Sequence, residues 1–450
     1  MNQLSWERGT LVLRDCSDPP PGFVFDDRVK LWRAPASLYF QTVLAWHRAG
    51  TTFTDAARGW QPAELTHRTD KSPRDYQAEA IEAWCKAGRR GVVSLPTGSG
   101  KSFVAELAIA ETQRPTLVIA PTIDLVNQWA ANLERAFGEA IGVLGGGLHV
   151  VERITVSTYD SAFIHADRYG DRFGLVVFDE VHHLPADAYS QIAEMMLAPY
   201  RLGLSATVER PDGLHERLDR LVGEVCYEQG IKDLSGHVLA DYEVRQVEVA
   251  LSDDEAEAYA AARKVYRDFV ISRGIRMGGP NGWNTFLREA ARSERGRAAL
   301  RAHREARAIA HGTESKLDAF EDILRDHVGE RVIVFTNDNA TVYRISRDFL
   351  VPCITHRTGA DERRSILERF SDGTYRCVAT SRVLNEGVDI PAAQVGIVLS
   401  GTSTVREHVQ RLGRILRPQK GKQAVLYEVV TADTTEVGAA ARRREHDAYR

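Results

Sequence analysis

The sequence predicts an α/β protein with two parallel-sheet domains, a basic helical insert between them and a small α/β domain in front. Three observations carry that prediction. Apolar runs separated by helical stretches recur in two series: "GVVSL", "TLVIA", "RITVS", "LVVFD" and "RLGLSA", then "RVIVF", "CVAT", "VGIVLS" and "AVLYEVV". Near-continuous apolar strands of this length belong to sheets covered on both faces by helices. The stretch between the series reads as helical, with a break at "MGGPNG" (277–282), and 450 residues exceed what one core can hold. The expected boundaries are 1–70, 71–245, 246–312 and 313–450.

In the first segment "LVLRD" and "GFVFDD" read as strands around the turn-forming "SDPPPG". The stretch "ASLYFQTVLAWHRAG" reads as an amphipathic helix ending at Gly50. Trp32, Trp46 and Trp60 are expected to form its core; stacking on bases is the alternative.

Composition excludes several classes. Hydrophobic residues make up 43% and charged residues 27%, an ordinary globular balance. No apolar run approaches the roughly 20 residues of a membrane span. "MNQLSWERGT" lacks a signal-peptide pattern, so a cytoplasmic protein without membrane attachment is expected. The five cysteines (Cys16, Cys85, Cys226, Cys353, Cys377) form no CxxC pair, which argues against disulfides and zinc. Net charge is −4, yet residues 261–311 hold twelve Lys/Arg against Asp268, Glu289, Glu294 and Glu305, a balance of +8. Such a stretch is the footprint of a phosphate-backbone partner, with a solvated helical face as the alternative.

The first α/β series carries the chemistry. "SLPTGSGKS" (94–102) sits between a predicted strand and helix, where a phosphate-binding loop belongs. Gly98 and Gly100 let backbone N–H groups turn toward phosphates, and the following helix N-terminus favours anions. Lys101 can reach the terminal phosphates of ATP and Ser102 can ligate Mg²⁺. The first glycine of the general GxxxxGK[ST] pattern is Leu95 here, followed by Pro96, Thr97 and Ser99. Downstream, "VVFDEVHHLP" (176–185) ends an apolar strand in two adjacent carboxylates. A metal ion beside Ser102 would relieve their repulsion, with Asp179 holding Mg²⁺ and Glu180 orienting the attacking water. A helix N-cap role for Asp179 is the alternative. His182 is expected to link the nucleotide site to the next motif, and His183 to be structural.

"GSGKS", "DEVH" and "GLSAT" (203–207) together resemble the motif set of superfamily 2 helicases. "RDYQ" (74–77) resembles the upstream motif whose glutamine contacts adenine, implying that role for Gln77 with Arg74 nearby. "APTIDLVNQW" and "TVSTYDSA" resemble segments that grip the DNA backbone, which puts Thr122 and Thr158 on DNA; Thr380 is assigned there too. "SRVLNEGVDIP" (381–391) resembles a nucleotide-contacting motif carried by Gly387 and Asp389. "QRLGRILRP" (410–418) places Gln410, Arg414 and Arg417 roughly a turn apart. The resemblance makes Arg414 and Arg417 fingers that stabilise transition-state charge; a salt-bridged helix is the alternative.

Within that superfamily the chain resembles the XPB branch of DNA repair helicases in its short archaeal and bacterial form. The phrases "TVSTYDSA", "FDEVHHLPA", "RLGLSAT" and "QRLGRILRP" carry this resemblance. It implies two RecA-like motor domains, a damage-recognition-like N-terminal domain and a thumb-like insert with Arg292, Arg295 and Arg297 on DNA. It also implies 3′→5′ polarity, forked, bubble or damaged duplex DNA as substrate, a partner nuclease and a monomeric motor. One departure stands out: where the family carries Arg-Glu-Asp after the SAT motif, this chain reads Arg210, Pro211, Asp212. Proline removes a charge and a backbone donor there, which weakens the expectation of strand separation. The competing readings are an RNA helicase and an ATP-gated scaffold that senses distorted DNA and recruits a nuclease.

Overall fold

The computed structural model describes residues 2–210, 212–234, 241–279, 281–381, 393–400 and 423–444. The chain forms two compact units, Met1–Gln229 and Gly230–Arg450.

Two layers of structure make up the first unit. A five-stranded sheet runs in the order Val24–Asp26, Leu31–Pro35, Thr10–Arg14, Asn2–Glu7, Phe53–Ala56. Only the last pair is parallel. Helix Tyr39–Arg48 turns Tyr39 and Trp46 onto Leu4, Leu11 and Leu13, so the amphipathic stretch packs as its 3.6-residue period requires. Trp46 is buried in this cluster and Trp32 packs against it half-buried, as expected, whereas Trp60 is buried outside it, beneath the Arg114 guanidinium. Leu197 joins the same cluster, and the Trp6 indole donates to the Met195 carbonyl at 3.2 Å. The small domain therefore shares its core with the sheet domain that follows it.

That domain holds an eight-stranded sheet in the order Val225–Glu228, Arg90–Ser94, Tyr200–Ser205, Leu175–Asp179, Thr116–Ala120, Ile154–Thr158, Ile141–Gly145, Leu148–His149. All neighbours are parallel except the final hairpin. Thr116–Ala120 and Leu175–Asp179 are buried along their whole length, which is why both read as unbroken apolar runs.

The second unit has a six-stranded, all-parallel sheet: Asp241–Val249, Gln423–Thr431, Val395–Val398, Val332–Phe335, Cys377–Thr380, Cys353–Ile354. Asp241–Val249 pairs with Gln423–Thr431 over nine positions. This differs from the expected boundary at 245, because the strand belongs to the second sheet and the first unit closes at Gln229. The insert is a bundle of helices Asp253–Ser272, Gly282–Ala291 and Glu294–Gly312. Ser252 and Glu255 form a capping box at its start. Ala262, Ala302, Ala306 and Ala310 let the first and last helices approach closely. No helix among the described residues is long and apolar enough to cross a membrane.

One buried ion pair joins helix Glu314–Asp326, which follows the insert, to helix Thr435–Arg444, which follows strand Gln423–Thr431. Lys316, 1% exposed, donates to Glu436 Oε2 at 2.6 Å and to the Leu399 carbonyl at 2.5 Å. Glu436 also accepts from the Thr431 N–H at 3.1 Å and lies 3.4 Å from His311 at the end of the insert. Removing one partner of such a pair strands the other charge and costs about 3–5 kcal/mol. Lys316→Met is therefore expected to lower hydrogen-exchange protection in Gln423–Thr431 by roughly a hundredfold. The double variant Lys316→Met/Glu436→Leu should recover most of it. Equal protection in all three proteins would show that the pair anchors nothing.

Candidate active site

Parallel pairing brings the carboxyl ends of three strands to one edge: Ser205 lies opposite Ser94, and Asp179 opposite Leu204. Ligands of open α/β sheets bind outside that edge. The loop after Ser94 leads into helix Lys101–Thr112, with Gly98 at φ 86° and Gly100 at φ 87°. A β-carbon on Gly100 would sit 2.7 Å from Gln77 Nε2, so conformation and space both demand glycine there. Leu95 is fully buried and its N–H donates to the Ser205 carbonyl at 2.9 Å. It extends the strand ladder by one residue, which accounts for an apolar side chain where the general pattern has glycine. Pro96 is buried, and its carbonyl accepts from the Ser99 hydroxyl at 2.7 Å, while Thr97 and Ser102 flank the loop half-buried. Lys101 Nζ donates to the Leu95 carbonyl at 3.0 Å, lying back across the loop.

Helix Asp75–Lys86 braces this loop. Gln77 is 4% exposed; its Oε1 accepts from the Arg74 N–H at 3.1 Å. Its Nε2 donates to the Ser99 and Gly100 carbonyls at 3.2 and 3.3 Å. Both ends of the Gln77 amide are thus used inside the protein. Tyr76 adds a hydroxyl to the Ser99 carbonyl and receives Arg74 NH1 at 3.2 Å. Tyr76 was not singled out from the sequence, although its place inside "RDYQ" was the signal.

The acidic pair stands at the end of Leu175–Asp179. Asp179 is 8% exposed, with Oδ2 receiving the Trp129 indole N–H at 2.8 Å and Oδ1 the Glu180 N–H at 3.0 Å. Burial pushes the Asp179 carboxyl above its ordinary value, while the Trp129 bond and the Lys101 charge pull it back. A buried carboxylate with an ammonium nearby and a helix-start hydroxyl on the adjoining loop has the donor chemistry of a magnesium–phosphate site. Tyr159 gives its hydroxyl proton to the Asp179 carbonyl at 2.9 Å. Trp129 and Tyr159 both escaped the sequence reading, since nothing local to either marks it as a neighbour of Asp179. Glu180 adopts φ 47°, ψ 55°, a left-handed conformation that costs a non-glycine residue on the order of 1–2 kcal/mol. The turn aims its carboxylate away from the strand direction.

A polar chain leads on from there. His182 is buried, with Nδ1 3.4 Å from Glu180 Oε2 and 3.1 Å from Ser205 Oγ. Ser205 donates its single proton to the Thr207 carbonyl at 2.7 Å, so toward His182 it accepts and His182 Nδ1 donates. This joins the "DEVH" and "GLSAT" segments directly. Arg210 extends the link: NH1 donates to the His182 carbonyl, while Nε and NH2 grip Asp212 at 2.9 and 2.6 Å. That bidentate bond holds the Asp212 carboxyl down to about 2.

The expected DNA contacts divide. Thr122 and Thr158 cap helices Ile123–Phe137 and Tyr159–Tyr169, accepting from Leu125 and Ser161 N–H groups at 3.3 and 3.1 Å. Both helix starts open on the same sheet edge, which presents backbone N–H groups for phosphates. Thr380 is buried at its strand end and donates to the Ser381 carbonyl at 2.9 Å, so no surface hydroxyl is presented there. Arg292 pairs with Glu289 at 2.5 Å and Arg297 donates to the Ala291 carbonyl at 3.4 Å, while Arg295 is exposed without an acidic partner among the described residues. Pro211, Gly387, Asp389, Gln410, Arg414 and Arg417 lie outside the described residues.

Comparison with known proteins fits this arrangement. Residues 4–57 match the xeroderma pigmentosum group B helicase damage recognition domain. Residues 70–210 match the res subunit of type III restriction enzymes, and 315–419 the helicase conserved C-terminal domain. The DNA 3′-5′ translocase XPB2 of Sulfurisphaera tokodaii is 43% identical over 372 residues, covering 83% of this chain and 84% of the relative. The DNA 3′-5′ helicase XPB of Mycobacterium tuberculosis is 29% identical over 392 residues, covering 84% of this chain and 64% of the relative. The crystal structure of the Pyrococcus furiosus Hef helicase domain superposes with a TM-score of 0.56 at 19% identity, over 84% of this chain and 99% of that one, and shares the fold. The chain belongs to the XPB helicase family.

Proposed function

We propose that this protein is an ATP-driven DNA motor that moves 3′→5′ and acts in DNA repair of the nucleotide-excision type. The observation that carries it is the Asp179–Glu180 pair, with Asp179 buried, beside the Lys101 loop and linked through His182 to the segment that leads toward Arg210. Loop N–H groups and Lys101 would bind the phosphates of ATP. Ser102 and Asp179 would hold Mg²⁺, which supplies positive charge to the phosphates when bound. Glu180 would orient the attacking water and accept its proton, while His182 holds that carboxylate in place. The support for direction and for repair is the company of relatives, one a DNA 3′-5′ translocase and another a subunit of a transcription and DNA repair factor. Arg414, Arg417 and Gln410 as γ-phosphate contacts, and Gly387 and Asp389 at the nucleotide, rest on their motifs. A nuclease partner, a monomeric motor and a prokaryotic cytosolic setting rest on the family resemblance.

A second reading has an observation of its own. Arg210 is bonded both to Asp212 and to the "DEVH" turn, with proline between the two charged residues in sequence. An arginine committed in this way favours a motor that distorts or tracks DNA with little strand separation, a scaffold that hands the site to a nuclease.

DNA-stimulated ATP hydrolysis, compared on DNA and RNA of matched sequence, tests the main reading. Lys101→Ala should weaken ATP binding. Glu180→Gln should bind ATP normally and lose turnover by at least about a hundredfold. Parental turnover in Glu180→Gln would remove the water-orienting role.

Gln77 gives a sharper result. Losing two loop-bracing hydrogen bonds, at about 1 kcal/mol each, should raise KM in Gln77→Ala by roughly thirtyfold. A brace makes the loss equal for ATP and GTP. A loss confined to ATP would instead make Gln77 a reader of the adenine.

A further inference from the structure

The helical insert leaves one aromatic cluster open to solvent. Trp283 meets His303 and Phe286 with ring centroids 5.0 and 5.2 Å apart, and His303 meets Tyr266 at 4.8 Å. Phe286 is fully buried and Tyr266 nearly so, yet Trp283 is 41% exposed and Leu287, one turn along, 37%. A bundle with no outside partner gains by turning its largest aromatic inward. Here the indole is held against the cluster by one side and offers the rest to solvent.

The surrounding charge is of one sign. Burial pushes the His303 imidazole down to about 4, and Arg307, Arg263 and Arg304 push in the same direction. Arg263 also lies over the Tyr266 ring at 5.5 Å. None of these three arginines has an acidic partner among the described residues, unlike Lys264 and Arg292 nearby, which pair with Asp268 and Glu289.

Arg304 and Arg307 also line a cavity of about 540 Å³, bounded by the end of the insert and the segment Asn337–Thr341. The other cations of its wall are committed: Lys316 to Glu436, and Arg344 to Glu314 and the Gly312 carbonyl. Asp338 turns its carboxylate to the Thr341 N–H at 2.8 Å, capping helix Asn339–Phe349. Neither end of the Asn337 side-chain amide has a hydrogen-bond partner among the described residues. An unsatisfied amide beside a cavity of ligand size, fed by two unpaired guanidinium groups, is the composition of a site for a polar anion.

We propose that Trp283, Arg304, Arg307 and this cavity form a single-strand site, in which an unpaired base stacks on Trp283, the two arginines hold the adjoining phosphates, and a neighbouring nucleotide meets Asn337. This rests on the DNA-motor reading and adds which strand state the insert selects. Charge complementarity names the occupant. An exposed indole packed on a histidine that three arginines without acidic partners surround suits a stacked base on a polyanion, while a second copy of this chain would bring the same positive charge against itself. His303 and Arg307 are one helical turn apart, about 6 Å along the axis, so the stacked base and its phosphate would lie side by side.

The test uses the full-length chain, a fluorescein-labelled oligothymidylate and a duplex of equal length, with anisotropy read across a salt series. Trp283→Ala should weaken single-strand binding about tenfold, leave duplex binding unchanged and keep the parental salt slope, because a stack carries no counterions. Trp283→Phe should keep most of the affinity, which separates stacking from damage to the bundle. Arg304→Ala/Arg307→Ala should flatten the single-strand salt slope by roughly 0.7 for each phosphate that is no longer neutralised. Asn337→Leu, which leaves the aromatic cluster alone, should also weaken single-strand binding selectively. Unchanged single-strand affinity in Trp283→Ala, equal losses on both DNAs, or a concentration-dependent dimer abolished by Trp283→Ala would each overturn the proposal. A parent chain that binds no DNA would overturn the motor reading itself.

Discussion

The first unit is organised around a carboxylate that has to stay charged where charge is costly. Asp179 ends a fully buried strand, and burial alone would drive its proton back on. The surrounding structure answers with the Trp129 indole, the Glu180 amide and the Lys101 ammonium. Each comes from a different segment, so the helix Ile123–Phe137, the acidic turn and the loop helix are fixed relative to one another by one oxygen pair. The left-handed backbone at Glu180 follows from the same constraint. A continued strand would send the second carboxylate to the opposite face of the sheet, away from the loop, and the strained turn redirects it.

From that turn the coupling runs through side chains with little freedom. His182 is buried between Glu180 and Ser205, and the one hydroxyl proton of Ser205 is given to Thr207, so the proton positions along the chain are determined. Arg210 then holds the His182 carbonyl and Asp212 together. A shift of the Glu180 carboxylate can therefore reach the segment after "GLSAT" without an intervening flexible joint. That is the physical content of calling these motifs a set: their spacing in sequence is loose, while their polar contacts run from one to the next.

Much of this was legible beforehand. The two series of apolar runs became two parallel sheets because a strand covered on both faces has no room for polar alternation, and the loop glycines were readable from the conformations they alone adopt. What was not legible depends on pairing across distance. The strand Asp241–Val249, "DYEVRQVEV", alternates polar and apolar residues as an edge strand does, and nothing local says which sheet it joins. In the small domain Leu31–Pro35 and Asn2–Glu7 mix arginine, proline and glutamate into short strands, so their signal was weaker than that of the helix beside them. Thr380 was assigned to DNA, and its burial at the end of strand Cys377–Thr380 could not be read from its residue type.

The basic insert shows where counting stops and geometry begins. A balance of +8 was readable by arithmetic, but arithmetic cannot tell a neutralised charge from an available one. The structure separates them: Arg292 and Lys264 are matched by carboxylates on their own helices, whereas Arg263, Arg304 and Arg307 converge on one histidine from two helices. Like charges gathered at one place raise the energy of the empty protein, and a self-contained bundle has no reason to keep them there. The alanines Ala262, Ala302, Ala306 and Ala310 pack the first and last helices of that bundle together, which opposes relief of the repulsion by letting the helices swing apart. Charge concentrated and fixed in this way is pre-organised for a polyanion, and the cost of assembling it is met during folding, before any nucleic acid arrives.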